Sequence, residues 1–205
     1  MSGKEIIMRT ILAVFLVLAL CGGAVKADDA IGVVTYDVSF PLGDMKNYID
    51  KTSWRGFGLE GRWLIKPNIA LGLAWHWNTF YKTTDETIEI TNGHVTGNQF
   101  RVFYGSPIMA TAFWYPRSPL DNPSFMPYLG IGAGTIWTKQ RLEIGIVAFE
   151  DSAWHFGVTP EVGVMVPVGY YTNLIMGARY NYAFKSGDSP EYQWFTFSVG
   201  FSWTN

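Results

Sequence analysis

Few side chains in this sequence could do chemistry. Asp37, Glu60 and Glu161 supply carboxylates, Arg62, Arg101 and Arg179 guanidiniums, and His76 and His155 imidazoles. A nucleophilic hydrolase needs a hydroxyl and an orienting acid beside its base. The best trio on offer is His155 with Ser152 and Glu150, and its spacing matches no hydrolase pattern. A zinc site needs three or four ligands, and His76 and His155 have no obvious third. Gly130, Gly132 and Gly134 recur at a spacing of two, the period of a strand rather than of a phosphate-cradling loop. No catalytic, cofactor or metal site is therefore expected. The three acids, three arginines and two histidines are read as one polar network, provided the elements that carry them turn them to the same side.

Those elements are strands. Eight segments alternate apolar with small or polar residues: 31–40, 55–66, 69–81, 99–115, 127–138, 153–166, 174–184 and 193–203. In the third, Leu71, Leu73, Trp75 and Trp77 oppose Gly72, Ala74, His76 and Asn78. In the last, Phe195, Phe197, Val199, Phe201 and Trp203 oppose Thr196, Ser198, Gly200 and Ser202, and Trp194 is an exception on the small-residue side. All eight ionisable residues fall on the small, polar face. Pro107 and Pro160 remove ladder donors, so a bulge is expected in the fourth segment and an irregularity in the sixth. Turn arithmetic about Tyr170 sets Glu161 opposite Arg179. The same arithmetic about Pro67 sets Glu60 opposite Ala74 and Arg62 opposite Gly72.

Composition narrows the class. The chain of 205 residues is 48% hydrophobic, 17% aromatic and only 16% charged, with a formal net charge of −2. That apolar content excludes a disordered chain, and 22 glycines and 10 prolines exclude a coiled coil. Residues 1–27 read as a removable signal: Lys4 and Arg9, an apolar run from Ile11 to Leu20, then Val25-Lys26-Ala27 with cleavage after Ala27. Met8 opens an equally good signal. Removing Lys4, Arg9, Lys26 and Glu5 leaves 16 acids against 12 bases in residues 28–205, the wrong sign for a nucleic-acid binder. The sole cysteine, Cys21, leaves with the signal, so no disulfide is expected.

Period-two alternation suits either a soluble barrel with its apolar face inside or a membrane barrel with that face toward lipid. The polar face is rich in Gly, Ala and Ser rather than Lys and Glu, as a crowded interior requires. Aromatic residues gather at segment ends (Phe40, Trp114, Trp137, Trp154, Tyr182, Trp203), where interfacial girdles sit. Connections 41–54, 82–98, 139–152 and 185–192 are read as long loops, against a tight turn at 66–68 and a short one at 167–173. The connection 116–125 is long for its end. The expected fold is all-β, an eight-stranded antiparallel up-and-down transmembrane β-barrel over residues 28–205. Loop 139–152 contains Leu142, Ile144, Ile146, Val147 and Phe149. Either its strands extend above the membrane or it lines a mouth for an apolar ligand.

With Pro127-Tyr128-Leu129-Gly130-Ile131-Gly132-Ala133-Gly134, Pro160-Glu161-Val162-Gly163 and the closing alternation from Phe195 to Trp203, the chain resembles the small eight-stranded outer-membrane barrels of Gram-negative bacteria. That class includes OmpX, OmpW and the OmpA membrane domain. Such barrels end on an aromatic residue, whereas Thr204-Asn205 follow Trp203 here. The resemblance implies an outer-membrane location and a monomer surrounded by lipid and lipopolysaccharide. It also implies delivery by periplasmic chaperones and the barrel-assembly machinery, and no cofactor. An eight-stranded barrel is just wide enough for side chains to fill it. The expected function is therefore a non-enzymatic envelope or surface role with a filled lumen. The alternatives are a narrow channel for small, hydrophobic solutes, gated by exchange of the inward ion pairs, and an enzyme acting on lipid A.

Overall fold

The computed structural model describes residues 30–90, 93–121, 124–144 and 147–204; the signal segment 1–27 lies outside them. Eight antiparallel strands close into a barrel in sequence order. They are β1 (Ala30–Leu42), β2 (Ser53–Lys66), β3 (Ile69–Ile90), β4 (Gly93–Trp114), β5 (Met126–Ile144), β6 (Val147–Pro167), β7 (Thr172–Ala183) and β8 (Tyr192–Thr204). A single turn of helix, α1 (Met45–Tyr48), lies between β1 and β2, and a short 3₁₀ turn, Pro119–Asp121, between β4 and β5. Closure comes from β1 pairing with β8, Thr35 opposite Gly200 and Asp37 opposite Ser198. A closed sheet has no edge, so every strand finds partners on both sides.

The alternation read from the sequence sets the facing of every strand. Val34, Leu59, Leu73, Ile131, Val162 and Phe201 are exposed on the outer wall. Thr35, Glu60, His76, Thr159, Arg179 and Ser198 are buried inside. A large apolar side chain on the outer wall is stable where the surrounding medium is hydrocarbon, and the polar groups then have only the lumen to face.

Two expectations need correction. Segments 82–98 and 139–152 are not long loops: β3 runs on to Ile90 and β4 begins at Gly93, while β5 runs to Ile144 and β6 begins at Val147. The asymmetry between the two ends of the barrel thus lies in strand length, and of the two readings of 139–152 the extended strands are the one present. Nor do the prolines create bulges. Pairing of β3 with β4 stops at Trp75–Ile108 and resumes at Asn78–Gly105 in the same register. Pairing of β6 with β7 likewise skips from Val158–Tyr182 to Glu161–Arg179. Each proline lacks an amide hydrogen on one side only and keeps its place on the other, Pro107 opposite Ile136 and Pro160 opposite Ile131. The register shifts that do occur lie at Asp37/Ser39 and Leu64/Lys66.

The interior is layered. Toward the short turns, Ile31, Val33, Phe113, Tyr115, Met126 and Ile175 belong to one buried apolar cluster. Toward the long hairpins, Phe80, Phe103, Met109, Ile136, Tyr192 and Trp194 belong to a second, joined by Met45 and Ile49 from the α1 segment folded into the mouth. Trp194 is therefore one of several large apolar residues that point inward. With the long hairpins outside the cell, an epitope tag inserted at Gly187 is accessible to antibody on intact cells and one at Asn68 is not. Surface labelling at Asn68 would reverse the orientation.

Candidate functional site: the ionic layer of the lumen

Between the two apolar clusters lies a layer of charge. Glu60 and Arg62 sit two residues apart on β2, so both point inward. Arg62 Nη2 lies 2.6 Å from Glu60 Oε2, and its Nε donates to the same oxygen at 3.0 Å. Its Nη1 donates to the Tyr115 hydroxyl at 3.2 Å, and Nη2 reaches Glu161 Oε1 at 3.5 Å. The guanidinium also lies 3.7 Å from the Phe113 ring centroid and 4.5 Å from that of Tyr128, within cation–π range of both. Arg62 is fully buried.

Glu161 and Arg179 stand directly opposite each other on β6 and β7. Arg179 Nε donates to Glu161 Oε2 at 2.9 Å, and its Nη2 to Ser198 Oγ at 3.3 Å. Tyr128 donates to Glu161 Oε1 at 2.7 Å. Arg179 Nη2 also lies 3.6 Å from Glu60 Oε1, which joins the two pairs into one cluster. Glu60 faces Ala74 and Arg62 faces Gly72, and these small partners leave the long side chains room to cross the lumen.

The third part is His76 on β3. Its Nδ1 is 2.9 Å from Asp37 Oδ2, and Thr35 donates to Asp37 Oδ1 at 2.8 Å. His76 Nε2 is 3.4 Å from Glu60 Oε1, close enough for attraction but outside hydrogen-bond geometry, and no hydrogen bond to it is found among the described residues. The imidazole can lie flat against β2 because residue 58 is glycine. A Cβ there would overlap the ring and fall 2.6 Å from Thr35 Oγ1. Three carboxylates thus meet two guanidiniums and one imidazole, and only His76 can supply a third positive charge.

Arg101 and His155 do not join this layer. Arg101 stands in the mouth, 3.4 Å from the Tyr48 carbonyl and 5.6 Å from the centroid of its ring, because its position on β4 lies beyond Phe103 and the loop-end cluster. His155 lies at the same end, with Nδ1 2.8 Å from the Phe184 carbonyl and Nε2 3.0 Å from Thr138 Oγ1 and 3.5 Å from Ser189 Oγ. There it pins the β7–β8 connection, whose turn between Ser186 and Ser189 uses Gly187 at a φ of 59°. The trio of Ser152, Glu150 and His155 is not assembled. Glu150 and Ser152 are exposed and His155 is buried, since residues of even and odd number on β6 face opposite ways. Glu150 instead pairs with Lys139 at 2.9 Å. Sequence reasoning also missed the tyrosines: Tyr115 and Tyr128 bond directly to the charged groups, and the inward parity of Tyr128 was the available signal.

No family model matches the chain, and no curated protein matches its sequence. Solved structures do match. Neisserial surface protein A aligns with a TM-score of 0.53 at 15% identity, over 86% of this chain and 96% of that one. The fold is that of the small eight-stranded outer-membrane barrels. The attachment invasion locus protein Ail of Yersinia pestis, solved with the heparin analogue sucrose octasulfate, aligns at 0.48 and 16% identity over 85% of this chain and 99% of that one. The N-terminal barrel domain of OprF from Pseudomonas aeruginosa aligns at 0.46 and 10% over 87% and 100%. Barrels of this fold belong to the outer membrane of Gram-negative bacteria, and the apolar belt of this chain suits that bilayer.

The layer makes an ordered prediction for stability. Arg62→Met leaves Glu60 without its closest partner in a dry interior and should cost ~3–5 kcal/mol in the unfolding free energy. Glu161→Gln should cost less than Arg62→Met, because the amide can still meet Tyr128 and Arg179. Glu60→Gln combined with Arg62→Met should cost less than the sum of the single changes, a coupling measurable by urea titration in detergent. Strict additivity would mean that the two charges do not depend on each other.

Proposed function

We propose that this barrel is a closed, non-enzymatic component of the outer membrane, with a role in the envelope and at the cell surface, where it presents the long β3–β4 and β5–β6 hairpins. The observation that carries this reading is the pair of apolar clusters that stopper the lumen above and below the ionic layer. A conducting pore needs a continuous wet path. Here a solute would have to displace Trp194, Phe80 and Phe103 at one end and Tyr115, Met126 and Phe113 at the other. In this reading the ionic layer is a structural clasp, and the partners of the barrel are the lipid and lipopolysaccharide around its belt. The assembly machinery and chaperones act on it only during biogenesis, and it works as a monomer without cofactor. The separation of His155 from Ser152 and Glu150 weighs against an enzyme acting on lipid A.

The test is conductance of the refolded protein in a planar bilayer. A closed barrel gives no unitary steps, and Glu161→Gln and Arg179→Met leave the baseline flat because both apolar stoppers remain. Discrete openings in the unaltered protein would overturn the reading and favour the narrow channel. Openings only in the variants would make the ion pairs a gate.

A further inference from the structure

The outer wall departs from its own pattern at one place. Glycine in the membrane-spanning strands belongs to the lumen face, where Gly58 makes room for His76 and Gly130 for Phe113. Gly32 and Gly61 are the exceptions. Both have outward parity, and they stand directly opposite each other on β1 and β2. Val34 and Leu59 form the next outward pair, so the wall steps from two large aliphatic side chains to none. On its other side Gly32 is opposite Trp203 of β8, and Ala30 is opposite Trp63 of β2. Here a groove of about 190 Å³ opens, bordered by Ala30, Gly32, Gly61, Trp63 and Trp203. Ile31 and Arg62, whose side chains turn into the lumen, complete its lining.

The two indoles give the groove its walls. That of Trp203 lies across Gly32, where a Cβ would overlap the ring. That of Trp63 leans over Gly61, with Cη2 3.3 Å from where a Cβ would stand. Lumen crowding does not call for glycine at either position. Trp75 and Trp77 donate their indole N–H groups to Ser106 Oγ at 2.9 Å and Thr79 Oγ1 at 3.0 Å. Those of Trp63 and Trp203 have no hydrogen-bond partner among the described residues. Both stand at the turn end of the lipid-facing belt. Trp203 closes the outward row of Phe195, Phe197, Val199 and Phe201, and only Thr204 of β8 follows it. At that level acyl chains give way to the ester and phosphate oxygens of the lipid, and an indole has an apolar body for one and a donor for the other.

We infer that the groove is a binding site for one phospholipid, whose acyl chain lies over Gly32 and Gly61 between the two indoles while its ester oxygens accept from their N–H groups. An apolar chain gains nothing hydrophobic by leaving the bilayer for a protein wall, since the tails around it are as apolar as Leu. Retention therefore needs close packing and polar contact, and this groove offers both. Glycine lets a chain approach the strand backbone, and a chain that fills the hollow recovers dispersion contacts that an unfilled one forgoes. The volume, below the ~300 Å³ of the smallest drug-sized pockets, suits part of a chain rather than a whole ligand. A second copy of the barrel is a poorer occupant, because two convex walls meet along a line and neither reaches a floor set between indoles. With the long hairpins outside the cell, the short-turn side is the inner, phospholipid leaflet. The site rests on the lipid-facing outer wall and not on the sealed lumen, so conductance, which tests the closed-barrel reading, does not bear on it.

The experiment is native mass spectrometry of the refolded barrel, reconstituted with dioleoylphosphatidylethanolamine and lipopolysaccharide and then released from detergent micelles. The expected result is one phosphatidylethanolamine retained per barrel at collision energies that strip all other lipid and detergent. The adduct should be lost in Gly61→Leu, which fills the groove from a position whose nearest neighbour is the far end of the Trp63 side chain. It should be kept in Ala110→Leu, which adds the same side chain elsewhere on the outer wall. An unaltered barrel that retains no lipid overturns the proposal, whether or not a variant folds. So does an adduct unchanged in Gly61→Leu, loss of the adduct in Ala110→Leu as well, or retention of lipopolysaccharide in its place. A dimer that Gly61→Leu dissociates would give the groove to a second copy and overturn it too.

Discussion

Everything in this barrel is arranged around a guanidinium that no water reaches. An isolated ion in an interior of low dielectric is very costly, and the cost is offset only if every donor finds an acceptor in good geometry. Arg62 shows how many conditions that sets. Its own strand must present Glu60 two residues away, and β6 must bring Glu161 across the lumen. The rings of Phe113 and Tyr128 must lie against its faces, and Gly72 must stay small opposite it. A slip of one residue in β2 would turn both Glu60 and Arg62 toward hydrocarbon, so the clasp and the register enforce each other.

The apolar stoppers belong to the same logic. With water kept from either end, the attraction within the layer is unscreened, but the layer then cannot tolerate an orphan. The tyrosines serve here as adaptable partners, with an apolar body in the turn-end cluster and a hydroxyl in the ionic layer, as Tyr115 and Tyr128 both have. Outside, the same alternation that delivers charges inward delivers Leu, Ile, Val and Phe to the bilayer. One period of two therefore specifies wall, belt and clasp together.

A period of two is legible in a sequence, whereas strand length and height along the barrel are not. Facing was legible on every strand because parity alone decides it, and Glu161 opposite Arg179 followed from counting through one turn. The length of β3 and β4 was not legible. Thr83, Thr84, Asp85, Glu86 and Thr87 show no apolar alternation in the sequence, and a polar run of that kind reads as a loop as readily as a strand that rises clear of lipid. The stoppers are not legible from alternation either. Ile31, Val33, Phe80, Phe103 and Ile136 have inward parity and are buried, yet each is a large apolar residue on the face that is otherwise small and polar, an exception that alternation alone does not explain. Distinguishing Arg101 and His155 from the clasp requires height along the barrel, which depends on the stagger of the closed sheet and not on parity.

The central claim is that the middle of the lumen is sealed from both sides, and accessibility of Thr159 to aqueous reagents tests it most directly. Residues 28–205 contain no cysteine, so Thr159→Cys in the refolded barrel gives one thiol beside the ionic layer, and Gly187→Cys gives an exposed control. The account predicts that a small charged methanethiosulfonate labels position 187 at once and leaves position 159 unmodified until the barrel is unfolded. Labelling of the two positions at comparable rates in the folded protein would contradict it.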